Sequence, residues 1–191
     1  SDGWFDGLKT RHFFAVPNNE TISFADTETW NLPVGSVLVK HLDLPTSDSA
    51  MSPFETSVLF RQNSGNWTAA NYRWNSAGTD ADLVTETVNE TVSQYFNGNI
   101  VNIEHAVRAG SGCTSCHIGT GSKEPLAIDT RQLNKNFDYQ GVSDNQINLF
   151  KNIGLFTQNI NSAQTYDAYP DPENTSADTN QRARAYLATN C

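Results

Sequence analysis

Cys113-Thr114-Ser115-Cys116-His117 is the stretch that divides this chain. Cys-x-x-Cys-His is the attachment pattern of a c-type haem. Each residue type has a chemical task. The two thiols add across the haem vinyl groups as thioethers, the two-residue spacer sets their separation, and the adjoining imidazole reaches the iron as an axial ligand. Other readings of the cysteines are weaker. A thioredoxin-like pair opens a helix after a buried strand, whereas Arg108-Ala109-Gly110-Ser111-Gly112 precedes this one. A zinc site built from Cys113, Cys116, Cys191 and His105 would have four ligands. It would leave His117 idle, and the second paired half of such a site is missing. A disulfide across only two residues is awkward. The cofactor expected here is haem c, covalently attached through Cys113 and Cys116 and ligated by His117.

Upstream of the motif, residues 1–104 read as a β-rich module. His12–Val16 stops at the turn cluster Pro17-Asn18-Asn19, and Thr21–Phe24 is a short strand candidate. Leu32–Leu42 is the best strand by its β-branched, apolar content. Glu55–Arg61 and Asn66–Trp74 form a hairpin across Gln62-Asn63-Ser64-Gly65, with Thr68, Ala70, Tyr72 and Trp74 alternating onto one face. A second hairpin turns at Asn97-Gly98. Short strands with polar turns predict a sandwich or jelly-roll-like pair of sheets. Glu28, Asp43, Glu55, Asp80 and Asp82 read as solvated strand ends.

Downstream, residues 105–191 change character and read as a small, mainly α, haem-binding module. A helix is capped by Ser143 or Asp144, carries the stripe Ile147, Phe150 and Ile153, and ends at Gly154. A polar surface loop with Tyr169-Pro170-Asp171-Pro172 follows. The last helix runs from about Asp178 to Thr189, with Ala183, Tyr186 and Leu187 turned inward. The fold class expected is α+β.

The chain has 191 residues, 12 Lys and Arg against 21 Asp and Glu, and a formal charge of −9. That balance argues against nucleic acid, which needs a basic face. No apolar run approaches the length of a membrane span. Ser1-Asp2-Gly3-Trp4 reads as a mature or trimmed start. Because haem c is attached outside the cytoplasm, the expected location is periplasmic or extracellular. Between His105 and Lys135 the local balance reverses, with Arg108, Lys123, Arg131 and Lys135 against Glu124 and Asp129. Arg108 and Arg131 are the first choices to pair with haem propionates.

The second axial position has two main candidates. The only methionine, Met51, lies in the polar run Thr46–Pro53 with no obvious core to fill. His105 lies eight residues before Cys113, close enough for the glycines between them to fold it back. His41 reads as a satisfied strand histidine, and His12 is similarly bland. An open sixth position would instead favour ligand chemistry.

Leu32–Lys40, Glu55-Thr56 before Val58–Arg61, Tyr72-Arg73-Trp74-Asn75 and Gly78-Thr79-Asp80-Ala81 occur in an order similar to that of a family of bacterial extracytoplasmic c-type cytochromes. The resemblance continues through Cys113–His117, Gln132-Leu133-Asn134 and Ala183–Cys191. It implies a β-rich module fused to a cytochrome c-like haem module. In such proteins the last helix leads into a second Cys-x-x-Cys-His; this sequence ends at the first cysteine of that pattern. The function expected is one-electron transfer between redox partner proteins, not enzymatic catalysis. A second expectation is self-assembly into a polymeric extracellular conduit, to which Trp4-Phe5 and an unpaired Cys191 could contribute. A haem enzyme or sensor is the third.

Overall fold

The computed structural model describes residues 7–117, 125 and 128–190, with Cys113, Ser115, Cys116, His117 and Asn190 described in the main chain only. The expectations placed on Trp4-Phe5, Lys123, Glu124 and Cys191 lie outside these residues. The chain forms two compact units, and their membership differs from a cut at residue 104. One combines the described residues up to Ala15 with Val34–His117. The other combines Val16–Pro33 with the described residues from Pro125 onward. Cys113–His117 therefore shares a unit with the strands that precede it.

The first unit is built on a five-stranded antiparallel sheet of β1 (Lys9–Ala15), β2 (Val37–Pro45), β3 (Met51–Arg61), β4 (Trp67–Trp74) and β5 (Ala81–Leu83). The strands lie in sequence order, so the sheet is a meander without the crossovers of a jelly roll. The best strand starts at Val37 rather than Leu32. Gly35 takes φ 86° just before it, and Leu32 belongs to the other unit. A second hairpin, β6 (Val88–Phe96) and β7 (Asn99–Val107), packs beside the sheet. Its turn is the Asn97-Gly98 pair, both left-handed at φ 49° and 82°, the geometry that matches a two-residue hairpin to strand twist.

One irregularity decides which side chains enter the core. Leu42 pairs with Glu55 but Asp43 pairs with Pro53, leaving Phe54 as the extra residue of a bulge. A bulge breaks the strict alternation of a strand, so Phe54 and Glu55 are buried in succession. Phe54 joins Leu8, Leu42 and Val92 in the core, with Leu44 and Ile103 packed against them. Each such side chain contributes about 1.5–3 kcal/mol by leaving water.

After β7 the chain enters helix α1 (Gly110–His117), which lies on β4. The fit is close. A Cβ at Gly110 would overlap the carbonyl oxygen of Ala69.

The other unit holds α2 (Thr130–Leu133), the hairpin β8 (Asn136–Tyr139) and β9 (Val142–Asn145), α3 (Gln146–Asn152) and α4 (Thr179–Asn190). Its centre is aromatic. Trp30 is fully buried and meets Phe156 edge-on at 5.0 Å, and Phe24 lies 5.0–5.5 Å from Trp30, Phe156 and Tyr166. The Trp30 indole donates to Thr130 Oγ1 at 2.9 Å, joining two segments a hundred residues apart. Thr21–Phe24 forms isolated bridges, Ile22 with Phe156 and Ser23 with Asn31, in place of a full strand.

The helix expected after residue 143 is present but starts later. Ser143 and Asp144 belong to β9, and Asn145 caps α3 by accepting from Ile147 N. Ile147 and Phe150 are buried, whereas Ile153 caps the C-terminus and is 65% exposed. In α4 the buried residue is Ala185, while Ala183, Tyr186 and Leu187 face outward.

Candidate functional site

Helical backbone from Gly110 to His117 puts positions 113, 116 and 117 within one side of α1, because residues three and four apart are neighbours on a helix. A pair of cysteines and a histidine at these positions is the residue set that attachment of haem c calls for. The sheet strand beside this helix is β4. Trp67, Ala69 and Asn71 share a face of β4 by strand alternation, and this is the face that meets the start of α1. The buried indole Nε1 of Trp67 finds no hydrogen-bond partner among the described residues.

The approach to α1 is fixed by polar contacts. Asn71, fully buried, donates from its side-chain nitrogen to Glu55 Oε1 at 2.9 Å and to the Arg108 carbonyl at 2.8 Å. Its oxygen accepts from Ser57 Oγ at 3.0 Å. The Ala109 amide donates to Thr87 Oγ1 at 3.2 Å. Arg108 thus sits at Asn71 and Gly110 at Ala69, so the chain advances along β4 toward Trp67 as it enters the helix.

Glu55 anchors this network. It is 5% exposed, and its second carboxylate oxygen lies 2.9 Å from His105 Nε2. Burial by itself would raise the Glu55 pKa. Hydrogen bonds to His105 and Asn71, with the charges of His105 and Lys40, outweigh that and hold it below the ordinary 4.5. Glu55 and Asp43 are therefore not solvated strand ends. Asp43 is 7% exposed and takes a two-pronged contact from Arg11 at 2.8 and 3.1 Å. Glu28, Asp80 and Asp82 are exposed.

The expected axial ligands take distinct places. His105, on β7, turns into the core, where its ring meets Phe54 at 5.1 Å and its Nε2 meets Glu55. Met51 begins β3 and is 46% exposed. Ala69, where α1 docks, pairs with Leu59. Met51 lies eight residues before Leu59, roughly 26 Å along the strand, and α1 advances toward the opposite end. His41 is held at both ring nitrogens, by Thr56 Oγ1 at 2.7 Å and Asp43 Oδ1 at 3.1 Å. His12 is exposed on the edge strand β1. Arg108 is exposed in the sheet unit, and Arg131 belongs to the other unit, where it faces Asp167 at 3.4 Å. Among the described residues no three His, Cys, Asp or Glu converge as they would on a metal ion.

Sequence reasoning missed the Glu55, Asn71 and Ser57 cluster. The only trace of it in the sequence is period: Glu55 and Ser57 alternate with Thr56 and Val58 and share a face with Leu59.

No protein-family model matches the chain, and no curated protein or solved structure is significantly similar to it. Among the described residues no helix is long and apolar enough to cross a membrane.

Proposed function

We propose that this chain is an extracytoplasmic c-type cytochrome that carries single electrons between redox partner proteins. The observation that carries this reading is Cys113-x-x-Cys116-His117 on one side of a helix whose first turn is built into a β-sheet. Haem c, when bound, supplies the iron that exchanges one electron. Cys113 and Cys116 would hold the group covalently, and His117 would ligate its iron. Arg108, in the same unit as the motif, is the proposed partner for propionate charge. Docking of α1 on β4 would limit movement of the attachment helix, which favours electron transfer because little need rearrange between oxidation states. This reading places the mature protein in the periplasm or outside the cell, with protein redox partners and no nucleic acid.

The test is an optical spectrum of protein made in a host that matures c-type cytochromes, beside Met51→Ala and His105→Ala. Covalent haem bands are expected in the wild type, and Cys113→Ala with Cys116→Ala abolishes them. Met51→Ala is expected to leave the spin state unchanged, since Met51 is solvent-exposed at the far end of β3. Conversion of His105→Ala to high spin would assign His105 as the second ligand and require it to leave Glu55. Absence of haem in the wild type would end the reading.

A further inference from the structure

We propose that Asn71 is the positioning residue of the attachment helix, so that the sheet sets the pose of Cys113, Cys116 and His117 through one side-chain amide. The inference rests on the haem reading for its redox consequence, but not for its structural basis. Asn71 uses both amide hydrogens at once, one on Glu55 Oε1 and one on the Arg108 carbonyl. Its oxygen is held by Ser57. The amide therefore cannot rotate without breaking contacts to β3, and the Arg108 carbonyl is fixed two residues before the helix begins. The Ala69 carbonyl against Gly110 then blocks a shift of the helix toward the sheet.

One contact pins the approach and the other limits the depth. A side chain fully buried, neutral and satisfied on three sides is well suited to hold a pose, because every displacement leaves a polar group unpaired in the interior.

The experiment uses the full chain from a haem-maturing host. Asn71→Leu removes both donors and keeps the branching at Cγ, Asn71→Ser is the milder variant should that protein fail to fold, and Leu42→Ala is a core control. Two quantities are read: amide hydrogen exchange over residues 110–117, and the equilibrium of the haem with a reference redox dye.

The expected result is at least a tenfold faster exchange confined to 110–117. With it comes at least a tenfold change in the dye equilibrium, about 59 mV for one electron. Neither change should appear in Leu42→Ala at equal loss of thermal stability. Exchange that rises evenly over the sheet, or a dye equilibrium no different from the control, overturns the proposal. If the wild type holds no haem, the cytochrome reading falls, and exchange over 110–117 in that same protein decides the role of Asn71 by itself.

Discussion

Glu55 shows how one side chain can tie stability to acidity. Its carboxylate is more easily ionised in the folded chain than in the unfolded one, because His105 and Asn71 favour the charged form. The stabilisation it gives is present in full above the unfolded value of 4.5, and is lost as pH falls through the lower folded value. Urea midpoints measured from neutral to acid pH are therefore expected to fall below that point. Glu55→Gln should be less stable at neutral pH and show a flatter acid limb. Equal acid slopes in the two proteins would contradict this. Gly110 makes a different demand. Alanine there would drive a methyl group into the main chain of Ala69, which cannot swing aside as a side chain can. A loss at the upper end of the usual 1–3 kcal/mol for overpacking, about 3 kcal/mol, is expected in denaturant titration.

The turn at Asn97-Gly98 isolates a purely conformational effect within an element. Gly98 has φ 82° and open space around its would-be Cβ. Gly98→Ala should therefore cost about 1 kcal/mol through backbone strain alone, read as a shift in urea midpoint with no change in slope. This hairpin was legible beforehand because a left-handed pair has few sequence solutions, and Asn-Gly is the chief one. The hairpin of β8 and β9 was not. Its turn is Gln140-Gly141, at φ 57° and 94°, and glutamine gives little warning of a left-handed residue. The bulge at Phe54 was also hidden, because nothing local in Pro53-Phe54-Glu55 states which residue the neighbouring strand will skip. The buried faces of β3 and β4 were harder still, since their inward positions include Glu55, Ser57 and Asn71, polar residues that a hydrophobic pattern assigns to solvent. For the candidate site, the Cys-x-x-Cys-His pattern could be read from five consecutive residues. The amide and carboxylate that fix its approach come from strands β3 and β4, remote in sequence, and only folding brings them together.

At the scale of the whole molecule, the chain is interlaced. The connection between neighbouring strands β1 and β2 contains Val16–Pro33, whose packing partners lie after residue 124. A fragment of residues 1–104 would leave Ile22 and Trp30, both fully buried here, without Phe156, Ile128 and Thr130. It would also strip α1 from β4. Such a fragment is expected to lack the sharp thermal transition of the full chain and to show red-shifted tryptophan emission. A cooperative transition with buried tryptophan in residues 1–104 would mean that the division after residue 104 is the physical one. The interlacing also sets a clock. Trp30 leaves the ribosome a hundred residues ahead of Thr130. At about 5–20 residues per second this is a delay of roughly 5–20 s. During that interval every strand of the sheet and the helix bearing the cysteines have been made. The sheet unit can thus be complete while the loop between its first two strands still waits for the partners that will cover Trp30.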